Sequence, residues 1–284
     1  MKKKIYIVAG PTASGKTKLA IDLAIHKKGE IINADSLQVY QDVPILTARP
    51  TEAEQQSIPH HLFGFLDAFA VDNVQSWLNK ASLVVENIET PIFVGGTGMY
   101  IKMLTEGISP IPDIPEEIRQ QVRSMTKEEV LSHLGQTELL DIQRQMRALE
   151  VKLATGKDIS YFQSLPKLRA IDADFKVILI MPEREKLYLR CNYRFDEMIK
   201  QGALKQVSDL YGKNNNMTGG VFQAIGVKDL ISFMKGEQPL QKAIDHSKQL
   251  TRNYAKRQLT WFRHQLKSDV TVSLPELNKD ILSL

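Results

Sequence analysis

Residues Gly10 to Thr17 read GPTASGKT. This is the G-x-x-x-x-G-K-[ST] pattern, in which a glycine-rich turn leads into a helix. Phosphate chemistry needs this arrangement. The loop of Gly10, Pro11, Thr12, Ala13, Ser14 and Gly15, with the start of the following helix, offers N–H donors that have no intrahelical partner, and these form a concave anion site. Lys16 adds a positive charge, and the Thr17 hydroxyl is placed to hold Mg²⁺. A diphosphate or a nucleotide such as ATP satisfies these donors equally well.

Binding phosphate is not the same as hydrolysing ATP. P-loop NTPases carry an apolar strand ending in an aspartate that holds Mg²⁺. Two apolar strands are candidates here. PIFVGGTGMY runs out into Gly95-Gly96-Thr97-Gly98, and FKVILIMP ends in Met181-Pro182. Neither ends in an acid, which weighs against a motor ATPase. An acid does follow a different strand: GEIINA leads to Asp35 and Ser36. The carboxyl edge of an open parallel sheet is where ligands sit, so a carboxylate there can act as general base to an incoming nucleophile. Asp35 can equally cap the turn DSLQVY, and position alone leaves both readings standing.

The remaining polar groups are less specific. His60-His61 has no Cys or His partners at metal spacing, which favours packing or a cap over zinc. Gln143, Arg144 and Arg147 lie near one side of a helix in DIQRQMRALEV, as a polar outer face or as contacts to phosphates and bases. Residues 240–267 hold Lys242, Lys248, Arg252, Lys256, Arg257, Arg263 and Lys267 against the single acid Asp245. Spacings of four align most of these on one helical face. That face is either solvated or tracks a phosphate backbone. The aromatics among them, Tyr254, Trp261 and Phe262, read as core.

Positioning the loop requires a strand before it and a helix after it, and the patterning supplies both. KKIYIVAG is β-rich, and KTKLAIDLAIHK has helical apolar spacing at Leu19, Leu23 and Ala24. GEIINADS follows as a strand. VDNVQSWLNKASLVVENIE is an amphipathic helix with Val74, Trp77, Leu78, Ala81 and Val85 on one side. TPIFVGGTGMYIKML is a buried strand, a glycine turn and a helix. This alternation predicts an α/β fold: a P-loop NTPase-like parallel sheet flanked by helices. Pro110, Pro112 and Pro115 then break the pattern, and polar helical stretches follow. The expected organisation is a core in two parts, residues 1–110 and 174–284, around a mostly helical insertion at 111–173. DFKVILIMP is expected to be the last strand, followed by basic helices and a loop at GKNNNMTGG.

Composition sets the outer limits. The chain has 284 residues, 43% hydrophobic and 25% charged, with a net charge of +4. That is enough to bury a core without staples. Cys191 is the only cysteine, so no disulfide forms within the chain and a reducing cytosol is expected. The apolar run in MKKKIYIVAG is too short for a signal peptide, and no stretch approaches the ~20 apolar residues of a membrane helix. A cytoplasmic, monomeric protein without membrane contact is expected.

GPTASGKT, INADSLQVY, FVGGTGMYIKML, DIQRQMRALEVKLATGKDIS and RNYAKRQLTWFR together resemble one family, the tRNA dimethylallyltransferases, also called tRNA isopentenyltransferases. They stand in that family's order and rough spacing across nearly the whole chain. The resemblance implies that the loop holds the diphosphate of dimethylallyl diphosphate with Mg²⁺, without ATP consumption. The prenyl group is then expected to pass to the exocyclic amine of the adenosine 3′ of the tRNA anticodon. It further implies that Asp35 is the general base, with Ser36, Leu37 and Gln38 as tRNA-contacting neighbours. Thr97 corresponds to a threonine at the reaction centre, and Arg119 to a contact with the anticodon stem-loop. Gln143, Arg144, Gln145, Met146 and Arg147 match a tRNA-contacting stretch. Arg190 and Arg194, in LYLRCNYRFDEM, are candidate phosphate ligands. One segment departs from the family: QDVPILTARP stands where Met-Asp-Ile-Gly-Thr-Ala-Lys-Pro is usual, with Pro44 and Leu46 in place of the isoleucine and glycine and Arg49 in place of the lysine. The insertion and the C-terminal part are also short for the family. Two rival readings remain at this stage, a small-molecule kinase that consumes ATP and an RNA-binding P-loop protein without catalysis.

Overall fold

The computed structural model describes residues 2–70, 72–134, 141–213 and 220–284. Most of the expected loop GKNNNMTGG, residues 214–219, lies outside them. Among the described residues, six strands form one sheet: β1 (Lys3–Ala9), β2 (Glu30–Asn33), β3 (His60–His61), β4 (Pro91–Gly95), β5 (Ala173–Ile180) and β6 (Val270–Val272). Their spatial order is β3-β2-β4-β1-β5-β6, and every pair is parallel. The expected α/β architecture is the one found.

Strand β1 sits inside the sheet because its sequence allows burial on both faces. Ile5, Tyr6, Ile7, Val8 and Ala9 are all buried, the continuous apolar run of a covered parallel strand rather than an alternating one. On one face Tyr6 and Val8 pack with Leu19, Leu23, Ile92, Val94, Ile178 and Ile180. Leu19 and Leu23 belong to α1 (Lys16–Lys27), which crosses from β1 to β2.

Helices α2 (Pro44–Thr47), α3 (Glu52–Gln56), α4 (Val74–Glu86) and α5 (Gly98–Glu106) complete the first part of the chain. Asn73 caps α4 by accepting the Ser76 N–H at 3.0 Å. The stripe Trp77, Leu78, Ala81 and Val85 is buried as its spacing predicts, while Val74 is only half-buried. Trp77 stacks on Tyr100 at 4.4 Å between ring centroids and meets Phe93 edge-on at 6.0 Å.

The chain divides into two compact units, Met1–Thr105 with Ala170–Leu284, and Glu106–Arg169. The smaller unit thus begins and ends a few residues before the expected 111–173. It contains α6 (Glu116–Ser124), α7 (Lys127–Leu134), α8 (Ile142–Thr155) and α9 (Ile159–Ser164). Its interior is built from Val122, Val130 and Leu149 on one side, and Ile114, Val151 and Phe162 on the other. An antiparallel bridge between Ile108 and Leu168 closes the unit where the chain enters and leaves.

In the larger unit, β5 leads into α10 (Arg184–Lys200), α11 (Ala203–Lys213), a short 3₁₀ turn at Gly220–Gln223, α12 (Val227–Met234) and the long α13 (Leu240–Gln265). Strand β6 and α14 (Lys279–Leu282) follow. Two strands escape the sequence pattern. β5 is not the last, because β6 extends the sheet along its outer edge. β3 consists of His60-His61 paired with Ile31-Ile32.

Candidate active site

The carboxyl ends of β1, β2 and β4 carry the residues expected to do chemistry. After Ala9 the chain turns through Gly10–Thr17 into α1. Gly15 takes φ 89 at the helix N-cap, a left-handed value that glycine adopts without strain. It also lies so close to Pro275 that a β-carbon would stand 2.7 Å from the proline Cγ. The loop is braced from within by Ser14 N–H to Pro11 O at 3.3 Å, and Lys16 Nζ donates to the same carbonyl at 3.2 Å. The Ser14 hydroxyl is fully buried and makes no hydrogen bond among the described residues.

Lys16 is nearly buried at 9% exposure. Burial lowers its pKa from 10.5 to about 8, opposed by the Asp35 carboxylate and reinforced by Arg194. Among the described residues no carboxylate stands at ion-pairing distance of this desolvated ammonium, so an anion entering the cleft would stabilise its charged form.

Asp35 is placed by an asparagine. Asn33, the last residue of β2 and wholly buried, accepts the Asp35 N–H at 2.9 Å and donates Nδ2 to the carbonyls of Asp35 and Leu62. Trp77 Nε1 holds the Asn33 carbonyl at 2.9 Å. The Asp35 side chain does cap its turn, since Oδ1 accepts the Leu37 N–H at 3.0 Å. Oδ2 has no hydrogen-bond partner among the described residues and remains available to a proton. The turn-cap reading of Asp35 is thus realised through Oδ1, and Oδ2 leaves the general-base reading open.

Thr97 opens α5 one strand away. Its Oγ1 accepts the Ser36 N–H at 3.0 Å and donates to Ser36 Oγ at 3.3 Å. The hydroxyl is thus spent on the turn that follows Asp35. Gln38 donates Nε2 to the carbonyls of Thr47 and Ala48, tying that turn to the atypical segment 41–50. There Arg49 donates to the Tyr40 carbonyl at 3.3 Å, and burial lowers its pKa. Leu46 is buried against Phe195 and Val227 in a shared cluster.

These elements enclose a cleft of about 910 Å³. Thr12, Ala13, Gly15, Lys16 and Thr17 form one wall, and Arg190 and Arg194 of α10 stand beside them. Neither arginine has an ion-pair or hydrogen-bond partner among the described residues. Asp35, Leu37 and Gln38 line the cleft as well, and Leu46, Phe195, Met198 and Ile225 supply an apolar side. Thr97 and Ser36 lie outside this lining. Cys191, whose thiol burial pushes up to about 11, and Tyr254, raised by burial and by Asp35, complete the wall.

The cleft wall fits a divalent cation held in part by a substrate's phosphate oxygens. Mg²⁺ keeps several waters and is held by one or two carboxylates together with phosphate oxygens. The Thr17 hydroxyl offers a hard oxygen at the cleft wall, beside the loop amides. No group of three or more His, Cys, Asp or Glu forms a metal cage among the described residues. His60 Nδ1 meets the Ile58 carbonyl at 2.7 Å, and His61 Nε2 meets Glu30 at 2.6 Å.

In the smaller unit, Gln143 and Arg144 are exposed at the start of α8, whose Asp141 cap accepts both of their N–H groups. Arg147 pairs with Glu150 at 3.0 Å. Two members of the expected contact stretch face inward instead. Gln145 is 4% exposed, and Met146 packs against Val122, Val130 and Leu149. The helical period turns them from the face that carries Gln143 and Arg144. Arg119 donates Nε to the Ile114 carbonyl at 3.2 Å.

Gln258 carries no sequence signal beyond its place in RNYAKRQLTWFR, yet its amide joins the P-loop to the turn after β4. Oε1 accepts the Thr12 N–H at 2.8 Å, and Nε2 donates to the Gly96 carbonyl at 2.8 Å.

A glycine loop between strand and helix, opening on a cationic cleft with a strand-end carboxylate opposite, defines a P-loop α/β protein built for a phosphorylated substrate. The comparisons with known proteins narrow this class. A family model described as IPP transferase matches residues 38–265, and one described as isopentenyl transferase matches residues 3–63. The chain is 43% identical over 278 residues to the tRNA dimethylallyltransferase of Zymomonas mobilis, with 93% of this chain and 89% of that one covered. Its counterpart from Rhizobium etli is 41% identical, with 92% and 93% covered. A solved eukaryotic dimethylallyltransferase acting on tRNA superposes with a TM-score of 0.78 at 29% identity, covering 92% of this chain and 70% of that one. The tRNA isopentenylpyrophosphate transferase of Staphylococcus epidermidis gives 0.71 at 31% identity, covering 99% and 96%. The chain belongs to the IPP transferase family, the tRNA dimethylallyltransferases, and is a prenyltransferase.

Proposed function

We propose that the protein transfers a dimethylallyl group from dimethylallyl diphosphate to the exocyclic amine of the adenosine 3′ of a tRNA anticodon, releasing diphosphate. The proposal includes Mg²⁺ as the metal, a cytoplasmic setting and a monomeric enzyme. The observation that carries it is the polarity of the cleft. Lys16, Arg190, Arg194 and the loop amides offer a diphosphate its partners, while Leu46, Phe195, Met198 and Ile225 offer an apolar group a dry wall. A nucleotide would set its ribose and base against that wall, and a five-carbon prenyl chain suits it better.

The chemistry then divides among named groups. The adenosine amine attacks the allylic carbon, the carbon–oxygen bond to diphosphate breaks, and the electron pair leaves with the diphosphate. Loop amides and Lys16 hold that leaving group where its charge develops. Bound Mg²⁺ would neutralise part of the same charge. Asp35 Oδ2 takes the proton from the amine. Thr97 acts one step back, holding the Ser36 N–H so that the Asp35 turn keeps its place. The target base must leave its stack at a cost of a few kcal/mol. The exposed stripe on α13, with Gln143, Arg144, Arg147 and Arg119 of the smaller unit, offsets this by contacting the anticodon stem-loop.

Mass analysis of unmodified tRNA incubated with protein, Mg²⁺ and dimethylallyl diphosphate tests the reading. One five-carbon unit gained on the anticodon-loop adenosine, without ATP, is expected. Unchanged tRNA together with ATP turnover would sink it.

A further inference from the structure

Three segments remote in sequence meet at one side-chain amide. The P-loop carries the donor's leaving group. The turn after β4 carries Thr97 and, through it, the Ser36 turn beside Asp35. Helix α13 carries the basic stripe. Gln258 is 6% exposed and touches all three. Its carbonyl oxygen takes the Thr12 N–H, and its amide nitrogen gives to the Gly96 carbonyl, each at 2.8 Å. Both partners have fixed polarity, one donor and one acceptor, and the glutamine amide in this orientation satisfies both.

The surroundings are shaped around this group. A β-carbon on Gly96 would stand 2.6 Å from Gln258 Nε2 and 3.2 Å from the Gly10 carbonyl, so glycine is required for the approach. Farther along the same face of α13, the Trp261 ring lies against Gly98. Gln265 then accepts Lys102 Nζ at 2.8 Å. The helix is therefore fastened along the β4–α5 turn, with Gln258 as the point where it also grips the P-loop.

The geometry points to Gln258 as a positioning residue for the transfer reaction: it fixes the distance and angle between the diphosphate cradle and the Asp35–Thr97 side that receives the nucleophile. It touches neither reacting atom. Its contribution is alignment, and a misplacement of 1 Å between reacting groups can cost about a hundredfold in rate. The inference rests on the prenyl-transfer reading given above.

The test compares the wild-type protein with Gln258→Leu and Gln258→Glu in steady-state transfer with tRNA and dimethylallyl diphosphate. Pyrophosphate binding and thermal unfolding are measured on the same samples. Wild-type product formation is the control, because its absence would reject prenyl transfer itself and say nothing about Gln258. Gln258→Leu is expected to lower kcat by roughly tenfold to a hundredfold, with both KM values and the pyrophosphate Kd within about threefold. Gln258→Glu keeps an acceptor for Thr12 but turns a second oxygen toward the Gly96 carbonyl. Only its protonated form can donate there, and burial raises that carboxyl's pKa. The ratio of its kcat to the wild-type value should therefore climb as pH falls from about 8 to about 6. A flat ratio would overturn the inference even if the leucine variant were too unstable to assay. So would an unchanged kcat in Gln258→Leu, or a loss confined to the KM for tRNA, which would make the residue an RNA contact.

Discussion

Ser36 and Thr97, 61 residues apart in the chain, are joined by a hydrogen bond from the Ser36 N–H to Thr97 Oγ1 at 3.0 Å. The bond ties the end of β2 to the end of β4, and the Asp35 carboxylate stands one residue from its donor. Removing the acceptor leaves a half-buried N–H unpaired, which costs about 1–3 kcal/mol. Thr97→Val should lower thermal stability and slow transfer together, whereas Thr97→Ser should keep both near wild type. Equal behaviour of the two variants in unfolding and turnover assays would show that the hydroxyl is not what matters.

Asp35→Asn preserves the Oδ1 acceptor for the Leu37 N–H while removing the basic oxygen. Turnover should fall by about 10²–10⁴, the usual contribution of a positioned base. Pyrophosphate and tRNA affinities should hold within a few-fold, as read by calorimetry and filter binding. Near-normal turnover would remove Asp35 as the base.

Lys16 makes a prediction about pH with a definite sign. In the folded protein it titrates near about 8, against 10.5 as its ordinary value. Between these values the unfolded chain binds more protons, so stability rises with pH through that window, and below it the penalty is fully present. Lys16→Met should therefore unfold at a higher temperature than wild type at pH 7, and the gain should shrink as the pH approaches 10.5. The same variant should lose pyrophosphate binding. In the wild type, that binding should weaken as pH rises past about 8 relative to a Lys16→Arg protein, whose charge persists. A pH-independent ratio of the two affinities would contradict a neutralising Lys16.

On α13, Lys248 is paired with Asp196 and Arg252 with Asn192. Lys256 and Arg263 are exposed and have no ion pair among the described residues. Replacing both by glutamine should weaken tRNA binding without altering pyrophosphate binding. The slope of log K against log salt concentration should shrink by roughly 0.7–0.9 for each phosphate contact removed. An unchanged slope would mean that this face is merely solvated.

The glycine loop, the parallel sheet and Asp35 were legible in the sequence because each is written locally. The loop needs glycine where φ is positive, β1 is apolar throughout, and Asp35 directly follows a strand. What was illegible is set by pairing between distant residues. β6 is three residues long and β3 two, too short for any periodicity to register, and each exists because a longer strand offers it an edge. The stretch 143–147 matched a motif as a string, but a helix distributes five consecutive residues around its circumference, which sends Gln145 and Met146 inward. Gln258 reads as one polar residue on a basic helix, since its partners Thr12 and Gly96 lie 246 and 162 residues away.

The packing of Pro275 against Gly15 also bears on the order in which the protein is made. Within this sequence the phosphate cradle and β1 are synthesised before the segments that complete them. Yet β1 pairs with β4 and β5, the Thr12 amide waits for residue 258, and the Gly15 turn waits for residue 275. A nascent chain carries the signature of the site long before it carries the site. One edge of β1 has no partner until β4 emerges, the other none until β5 does, and the Thr12 amide stays unpaired until α13 follows.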